Sequence, residues 1–338
     1  MLNQHFMQYK GKDPFKNIIG LDEIKEEILS AIIMNRHILL VGAPGIGKTS
    51  LAKNITELLP EIEVNDCGFN CLPSEPICPV CKNNPKIGKK KIKGDERFVR
   101  IQGSPDLTAE DLIGDIDPIK ALKFGPMNVE SFTPGKIFKA NKGVLFFDEL
   151  NRAPERLQNA LLQVLEEEKA TIGSYNVDIE SDFIFVGTMN PQDFAGTEKL
   201  SEVLLDRLDL IYVSYPSNIS DEIAIIKKRG KKLKEVEFDG KLLNLVIEYI
   251  QNLRNNKDLE RSPSVRASLG LYERAQANAF LRGSETVEVE DVRKAFYSVI
   301  THRIKLKPSL RYLMNEKEFI RKDFDDFLNK KRDRGDLP

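Results

Sequence analysis

"GAPGIGKT" occupies residues 42 to 49 and matches the pattern G-x-x-x-x-G-K-[ST] in full. The apolar run "HILLV" (37–41) precedes it, and "SLAKNITELL" (50–59), with apolar residues at helical spacing, follows it. A strand before and a helix after are the context in which this pattern cradles phosphates, so a chance glycine-rich turn is the weaker interpretation. The stretch therefore predicts a nucleotide-binding loop between a strand and a helix.

Each residue type in this loop has a chemical reason. The glycines permit the tight curve that points successive backbone N–H groups at phosphate oxygens. Lys48 is predicted to reach the β- and γ-phosphates of ATP, and Thr49 to place its hydroxyl on Mg²⁺. The predicted nucleotide-binding residues of the loop are Gly42, Ala43, Pro44, Gly45, Ile46, Gly47, Lys48, Thr49 and Ser50.

Two further polar positions follow buried strands. In "GVLFFDE" (143–149), Asp148 is predicted to hold Mg²⁺ through water, and Glu149 to orient and deprotonate the attacking water. In "DFIFVGTMN" (182–190), Asn190 is predicted to position the same water. The alternatives are a solvated acidic turn and an asparagine that caps a loop. With a nucleotide-binding loop in the same chain, the pattern favours ATP hydrolysis.

The order of elements predicts an α/β fold with a parallel sheet between helices. "RFVRI" (97–101) and "LIYVSY" (210–215) complete five strand candidates, and apolar runs without alternation suit strands buried on both faces. Beyond residue 217 the segments read as amphipathic helices. The predicted domains are a nucleotide-binding core (1–217), a helical domain (218–308) and a charged helical tail (309–338). Within the core, 61–96 is loop-like and carries the cysteines, and 114–140 reads as an insertion.

Composition excludes several classes of protein. No apolar run approaches the length of a membrane span, and the N-terminal residues lack the layout of a signal peptide, so we expect a cytoplasmic protein. The net charge of −1 gives no general reason to expect nucleic-acid binding. The lysine run "KIGKKKIKG" (86–94) is interpreted as a solvated loop.

Two arginines could supply the positive charge that a γ-phosphate transition state needs beyond Lys48. Arg207 lies in "VLLDRLDL" just before the fifth strand candidate, and Arg266 lies in "RSPSVRAS" at the start of a helix. Arginines at such places are often ordinary surface residues, so spacing alone does not assign them.

Together these segments resemble the AAA+ ATPases, and within them the branch of the MoxR proteins and the magnesium chelatase I subunit, over about residues 14 to 300. "RIQGSPDLTAEDLIG" (100–114) and "DELNRAPERLQNALLQVLEE" (148–167) look MoxR-like. "LLPEIEV" with "CGFNC" and "CPVC", and "GDIDPIKAL" with "ESFTPGKIFKANKGVLFFDE", are more similar to the chelatase subunit. The resemblance implies an AAA+ P-loop core of five parallel strands with a C-terminal helical lid domain.

The resemblance also implies how the chain assembles. It suggests a homo-oligomer, a hexameric ring with ATP between neighbouring subunits, and a partner protein that carries a von Willebrand factor A domain. By position, Asn190 is similar to sensor 1, Arg207 to the arginine finger that reaches the next subunit, and Arg266 to sensor 2 of the lid. Ile19, within residues 18–20, resembles the adenine-pocket segment, and residues 114–140 resemble the helix-2 insertion of this branch.

Three functions remain open from the sequence. The first is a MoxR-type remodelling ATPase that inserts metal cofactors or matures partner proteins, favoured by "NRAP" and "IQGSPDL". The second is an authentic chelatase I subunit, which the cysteine region and "GDIDPIKAL" support. The third is a nucleic-acid motor, which the net charge disfavours. A regulatory ATP-binding protein without hydrolysis is disfavoured by the presence of Glu149, Asn190 and Arg207.

All cysteines of the chain lie in "CGFNCLPSEPICPVC" (67–81), with the spacing C-x3-C-x6-C-x2-C. Cys67, Cys71, Cys78 and Cys81 could close a tetrahedral Zn²⁺ site that pins a polar loop. Reduced thiols without metal and a redox pair are the alternatives, although no thioredoxin-like context surrounds Cys78 and Cys81. The spacing does not match that of iron–sulfur ferredoxins.

Overall fold

The computed structural model describes residues 2–84, 86–126, 128–167, 169–172, 177–191 and 200–334. The chain divides into two compact units: Met1–Ala43 with Gly47–Val213, and Pro44–Ile46 with Ser214–Pro338. Among the described residues, no helix combines the length and the apolar character that crossing a bilayer requires. The functional domain limits at residues 217 and 308 stay a prediction.

The strands and helices are as follows. The strands are β1 (His37–Val41), β2 (Ile62–Asn65), β3 (Lys89–Ile92), β4 (Phe98–Gln102), β5 (Gly114–Ile116), β6 (Phe132–Pro134), β7 (Val144–Asp148), β8 (Lys169–Ile172), β9 (Val177–Glu180), β10 (Ile184–Met189), β11 (Leu208–Tyr212), β12 (Leu259–Arg261) and β13 (Lys305–Leu306). The α-helices are α1 (Asn3–Phe6), α2 (Asp22–Ile33), α3 (Lys48–Glu57), α4 (Pro79–Asn83), α5 (Ala109–Ile113), α6 (Pro118–Phe124), α7 (Lys136–Lys139), α8 (Glu155–Glu167), α9 (Glu202–Asp206), α10 (Ile219–Arg229), α11 (Gly240–Arg254), α12 (Val265–Leu281), α13 (Val289–Val299), α14 (Pro308–Arg311) and α15 (Glu316–Asp333). Single 3₁₀ turns cover Met7–Tyr9, Asp95–Arg97, Val129–Ser131, Leu150–Arg152 and Thr301–Arg303.

The core of the first unit is a five-stranded sheet in the order β11-β1-β10-β7-β4. Every neighbouring pair in it runs parallel. The predicted fold class, a five-stranded parallel sheet covered by helices, is therefore confirmed. The carboxyl ends of parallel strands lie together, and we call this end of the sheet its carboxyl edge. The residues that follow β1, β7 and β10 therefore meet there.

Burial separates the central strands from the edge strands. In β1, β7 and β10 nearly every residue is buried, as expected for strands covered on both faces. The outer strands β4 and β11 have only one and two buried residues, respectively. Tyr212 of β11 is 69% exposed, so the prediction of strands buried on both faces is wrong for the two edges.

The helices beside the sheet are positioned by apolar stripes. In α3, Leu51, Ala52 and Ile55 are fully buried, and this helix contacts β7. Helix α2 contacts β1 and β11 through its own buried face, which includes Ile28 and Ile32. This packing holds the start of α3, and with it the end of the nucleotide-binding loop, against the carboxyl edge of the sheet.

The sequence suggested that the 61–96 segment is loop-like, but the segment contains two strands and a helix. Within its described residues, β2 pairs antiparallel with β3 in the register Ile62↔Ile92, and α4 carries Cys81. The middle of the lysine run forms strand β3. Ion pairs join Lys89 to Glu63 of β2 at 3.3 Å and Lys91 to Glu61, just before β2, at 3.8 Å. The lysines are thus solvated but paired with acids. Pro85 lies outside the described residues.

The 114–140 segment contains regular structure of its own. Strands β5 and β6 form an antiparallel pair, and Asp117 caps α6 by accepting from the backbone N–H of Ile119 at 2.9 Å. Met127 lies outside the described residues.

The second unit is helical, with a core built mainly from α11, α12 and α13. Within it, Glu222 is fully buried and receives both Nη groups of Arg254 at 2.7 Å. Ser268 donates a further hydrogen bond to the same carboxylate. The buried charge is therefore fully partnered, which a carboxylate at this depth requires.

The charged tail is not a single helix. Its described part contains two helices, α14 and α15, separated by residues 312–315, and residues 335–338 lie outside the described residues. Asn315 and Glu318 form a capping box that starts α15. Phe324 of α15 packs on Tyr249 at a ring distance of 4.8 Å and on Phe296 at 4.4 Å. The tail is therefore part of the hydrophobic core of its unit.

Candidate active site

The nucleotide-binding loop begins at the end of β1. Gly45 and Gly47 have φ values of +78° and +111°, which a side chain would strain. Gly42 is required for a different reason, since a Cβ there would meet the carbonyl oxygen of Val213 at 2.6 Å. The backbone N–H of Gly42 donates to Met189 O at 3.1 Å, which ties the loop to the end of β10. Two glycines serve the curve of the loop, and one serves close packing.

Lys48 is the first residue of α3, and its ammonium group turns back over the loop. The Nζ atom donates to the carbonyl oxygens of Gly42 and Ala43, the latter at 3.1 Å. Thr49 and Ser50 follow in the first helical turn and are half-buried. A lysine charge, two hydroxyls and a helix N-terminus thus converge at this loop, which is the chemistry of a phosphate site.

The two acids predicted for hydrolysis lie at the end of β7. Asp148 Oδ1 accepts a hydrogen bond from the Thr188 hydroxyl at 2.8 Å, and Asp148 Oδ2 pairs with Arg100 at 2.6 Å. The Thr188 hydroxyl also accepts from the backbone N–H of Glu149 at 2.8 Å. Thr188 is fully buried in β10, so one hydroxyl fixes both acids relative to the neighbouring strand.

Glu149 leaves the strand in a left-handed conformation with φ +57°, which is uncommon for a residue with a long side chain. Its carboxylate accepts from Gln102 Nε2 at 3.2 Å and pairs with Arg152 Nε at 3.1 Å. Gly103 follows Gln102, and its N–H donates to Asp148 O at 2.6 Å. Backbone strain at a polar strand end is a feature of functional sites.

Four residues around the acids were not predicted from the sequence: Arg100, Gln102, Arg152 and Thr188. The first two lie in "RIQG" (100–103), and Thr188 lies two residues before Asn190 in "GTMN". Only the parallel pairing of β4 with β7, and of β7 with β10, brings them to the acids. The polar strand ends were the available signal, but their partners depend on the strand order.

Asn190 directly follows β10 and is 7% exposed. Because β10 lies between β1 and β7, the carboxyl edge of the sheet holds Asn190 between the nucleotide-binding loop and the two acids. This placement brings together three predicted elements that are far apart in the sequence.

Arg207 lies at the opposite end of the strands, just before the amino end of β11. It precedes Leu208, which pairs with His37 at the amino end of β1, so about 16 Å of strand separates it from the carboxyl edge. Its guanidinium pairs with Glu166 at 2.7 Å. The structure therefore does not bring Arg207 to the loop of its own subunit.

Arg266 and Ile19 are placed on separate elements. Residues Pro44–Ile46 group with the second unit, where a Cβ on Gly45 would lie 3.2 Å from Arg266 Cδ. Burial, and then the neighbouring charge of Arg266, lowers the pKa of Arg303. The positive charges of Arg266 and Arg303 therefore lie near enough to repel each other. Ile19 is half-buried just before α2.

The cysteines lie in the segment between β2 and β3. Their four Sγ atoms are all within 4.8 Å of one another. Hydrogen bonds among these side chains, with Cys71 the largest contributor, lower the pKa of Cys67. The thiols therefore form one interacting group rather than four separate side chains.

Three family models match parts of this chain. The model for the "ATPase family associated with various cellular activities (AAA)" matches residues 87–210, the "AAA lid domain" matches 252–322, and "Magnesium chelatase, subunit ChlI" matches 14–72. Together they cover the residues of the candidate site, apart from the gap between 72 and 87.

Individual proteins are similar over most of the chain. A "Magnesium-chelatase subunit ChlI homolog" of Methanocaldococcus jannaschii is 28% identical over 326 residues, covering 87% of this chain and 86% of that protein. "Chaperone MoxR1" of Mycobacterium tuberculosis is 27% identical over 318 residues, covering 86% and 73%. The crystal structure of NtrX from Brucella abortus in complex with ADP superimposes with a TM-score of 0.53 at 15% identity, covering 92% and 61%, and supports the fold alone.

Proposed function

We propose that this chain, which is an AAA+ ATPase of the MoxR and ChlI type, uses ATP hydrolysis to remodel a partner protein. One observation supports the proposal: Asp148, Glu149 and Asn190 follow strands that end at the same edge of the sheet as the strand before the nucleotide-binding loop, where they would serve ATP hydrolysis. Arg207 would supply further positive charge from a second subunit. An arginine finger supplied by a second subunit would make hydrolysis depend on assembly.

We propose the following roles within one subunit. Lys48 would bind the β- and γ-phosphates, and the N–H groups of the loop would bind the remaining oxygens. Thr49 and Asp148 offer the oxygen ligands that Mg²⁺ prefers. Both carboxylate oxygens of Asp148 already have protein partners, which favours contact with Mg²⁺ through water. A bound Mg²⁺ would neutralise charge on the phosphates.

Glu149 would accept the proton of the attacking water. Its left-handed backbone and its contacts with Gln102 and Arg152 hold the carboxylate at the edge of the sheet. Asn190, on the strand between the loop and the acids, would hold the same water by hydrogen bonding. Ile19 would contribute to the adenine pocket, and Arg266 would contact the phosphates from the lid.

A ring accounts for the position of Arg207. We propose a hexamer in which Arg207 reaches the ATP bound to the adjacent subunit, since its own loop lies at the other edge of the sheet. A heterologous interface that closes on itself produces such a ring. The finger would stabilise the charge that develops in the transition state.

Mixing two inactive variants tests this arrangement. Lys48→Ala and Arg207→Ala should each abolish turnover, and only the second should keep ATP binding. In a random mixture about a quarter of the interfaces combine an intact loop with an intact finger, so about a quarter of wild-type turnover should return. A mixture that stays inactive, although the subunits exchange, would refute a finger supplied by the neighbouring subunit.

The proposed partner is a protein with a von Willebrand factor A domain, as the resemblance to the MoxR and chelatase branch implies. The similarity to a protein named chaperone MoxR1 supports a chaperone-like role. The Glu149→Gln variant should bind ATP without hydrolysing it and retain that partner in a pull-down. Lys48→Ala is the control, since it should retain neither ATP nor partner. DNA-stimulated turnover without such a partner would favour a nucleic-acid motor instead.

A second candidate function is that of a magnesium chelatase I subunit. The match of the ChlI model to residues 14–72, which ends within the cysteine segment, favours it. The porphyrin would then be carried by a separate subunit. Reconstitution with the other chelatase subunits separates the two candidates, because only a chelatase subunit would support Mg²⁺ insertion into protoporphyrin IX.

A further inference from the structure

The cysteine cluster is a feature that ATP hydrolysis does not use. Four sulfur atoms from two sequence pairs point at one another, with all separations within 4.8 Å. Cys71, Cys78 and Cys81 are buried, and Cys67 is half-buried. Four thiols that merely filled a hydrophobic core would have no reason to converge on a common point.

The separations suit a single tetrahedral ion. With a Zn–S bond of about 2.3 Å, tetrahedral geometry places the sulfurs about 3.8 Å apart, so a small contraction of the cluster would complete the site. An iron–sulfur cluster places iron and sulfide atoms between its cysteines and would hold the cysteine sulfurs farther apart than they are here. A disulfide would join two of the sulfurs and leave the other pair without a role.

The surrounding hydrogen bonds also point toward the sulfurs. Cys81 N–H donates to Cys78 Sγ at 3.3 Å, and Cys78 N–H donates to Cys71 Sγ at 3.4 Å. Asn65 Nδ2 donates to Cys81 Sγ at 3.4 Å. Donors of this kind stabilise thiolates, and they are the outer contacts that metal-bound cysteines require.

We propose that Cys67, Cys71, Cys78 and Cys81 bind one structural Zn²⁺. Binding replaces four S–H protons, which pass to the solvent, and leaves a closed site with no position for substrate. The site goes beyond the proposed function and does not depend on it, since no residue of the ATP site takes part.

The ion would fasten the cysteine segment to the part of the chain that leads into β7. Phe69, between the first two cysteines, packs on Phe138 at a ring distance of 5.3 Å. Asn141 Nδ2 donates to Phe69 O at 3.0 Å, and Asn141 Oδ1 accepts from the N–H of Asp182 at 3.0 Å. A fixed cysteine segment therefore supports the turn that precedes the strand of the catalytic acids.

Metal analysis of the full chain, purified without chelators or a histidine tag, tests the site. About one zinc per chain is expected, together with four thiols that resist a thiol reagent until the metal is released. Less than about a tenth of an equivalent with four freely reactive thiols would overturn the proposal, and so would a Cys78–Cys81 disulfide found by mass spectrometry.

A variant pair supplies the control. Cys78→Ser should reduce bound zinc to below about a tenth of an equivalent, whereas Ser74→Ala, an exposed neighbour in the same segment, should retain it. If Cys78→Ser does not fold, the wild-type chain still decides the matter. A zinc-chelating phenanthroline should then lower its melting temperature, and the non-chelating isomer should not; equal effects would count against a structural metal.

Discussion

Gly103→Ala should disable hydrolysis without touching the nucleotide-binding loop. An added Cβ would lie inside contact distance of the Glu149 carbonyl oxygen, 2.9 Å from the Glu149 carbonyl carbon and 3.0 Å from Asp148 O. These are backbone atoms, so no side chain can rotate away. Ordinary contact distances are about 3.5 Å or more, so relieving the contact with the Glu149 carbonyl oxygen requires the end of β7 to move by more than about 1 Å.

The displacement acts on the two residues proposed to hold Mg²⁺ and water. A shift of about 1 Å at reacting groups lowers turnover about a hundredfold, and the overpacking itself destabilises the fold by about 1–3 kcal/mol. ATP affinity should stay within about threefold, because the loop and Lys48 belong to other elements.

Three measurements check this expectation: ATPase turnover, binding of a fluorescent ATP analogue, and thermal unfolding. Gly88→Ala is the matched control, since a Cβ there meets nothing within 4 Å and no left-handed φ is involved. Turnover of Gly103→Ala within about twofold of the wild type would refute the steric reasoning, because a backbone clash of this size cannot leave the acids in place.

Three further predictions concern buried polar groups. Arg254→Ala should lower the free energy of unfolding by about 3–5 kcal/mol in denaturant titrations, because it leaves the fully buried Glu222 carboxylate without its ion-pair partner. Arg311→Ala is the control, since it removes an exposed ion pair and should change the free energy of unfolding by less than about 1 kcal/mol. Burial lowers the pKa of His37 to about 4. As the pH falls below about 6.5, His37 therefore binds a proton in the unfolded chain but stays neutral in the folded chain. Stability should fall between about pH 6.5 and 4, by about 2 kcal/mol at pH 5, and a His37→Gln variant that kept the whole pH dependence would contradict this. Thr188→Val keeps the shape of the side chain but removes the hydroxyl that holds both acids, so turnover should fall about tenfold or more at unchanged ATP affinity; equal turnover in the two proteins would show that the hydroxyl has no positioning role.

Much of the fold could be predicted from local patterns. The strands β1, β7 and β10 are continuous apolar runs that end in polar groups, and this pattern depends only on neighbouring residues. The antiparallel pair of β2 and β3 was not predicted, because the lysines of β3 were interpreted as a solvated loop. In the structure Lys89 of β3 pairs with Glu63 of β2. The docking of α15 was missed because its charges obscured a narrow apolar stripe.

The candidate site divides in the same way. The sequence by itself determined where the nucleotide-binding loop and the acids after β7 lie and predicted their chemistry, because those groups belong to contiguous motifs with a recognisable context. Only the tertiary structure decided which side chains contact the acids, that Arg207 lies at the amino end of its strand, and that the four thiols lie within 4.8 Å of one another. These depend on strand order and on chain crossings between distant segments, which local spacing does not encode.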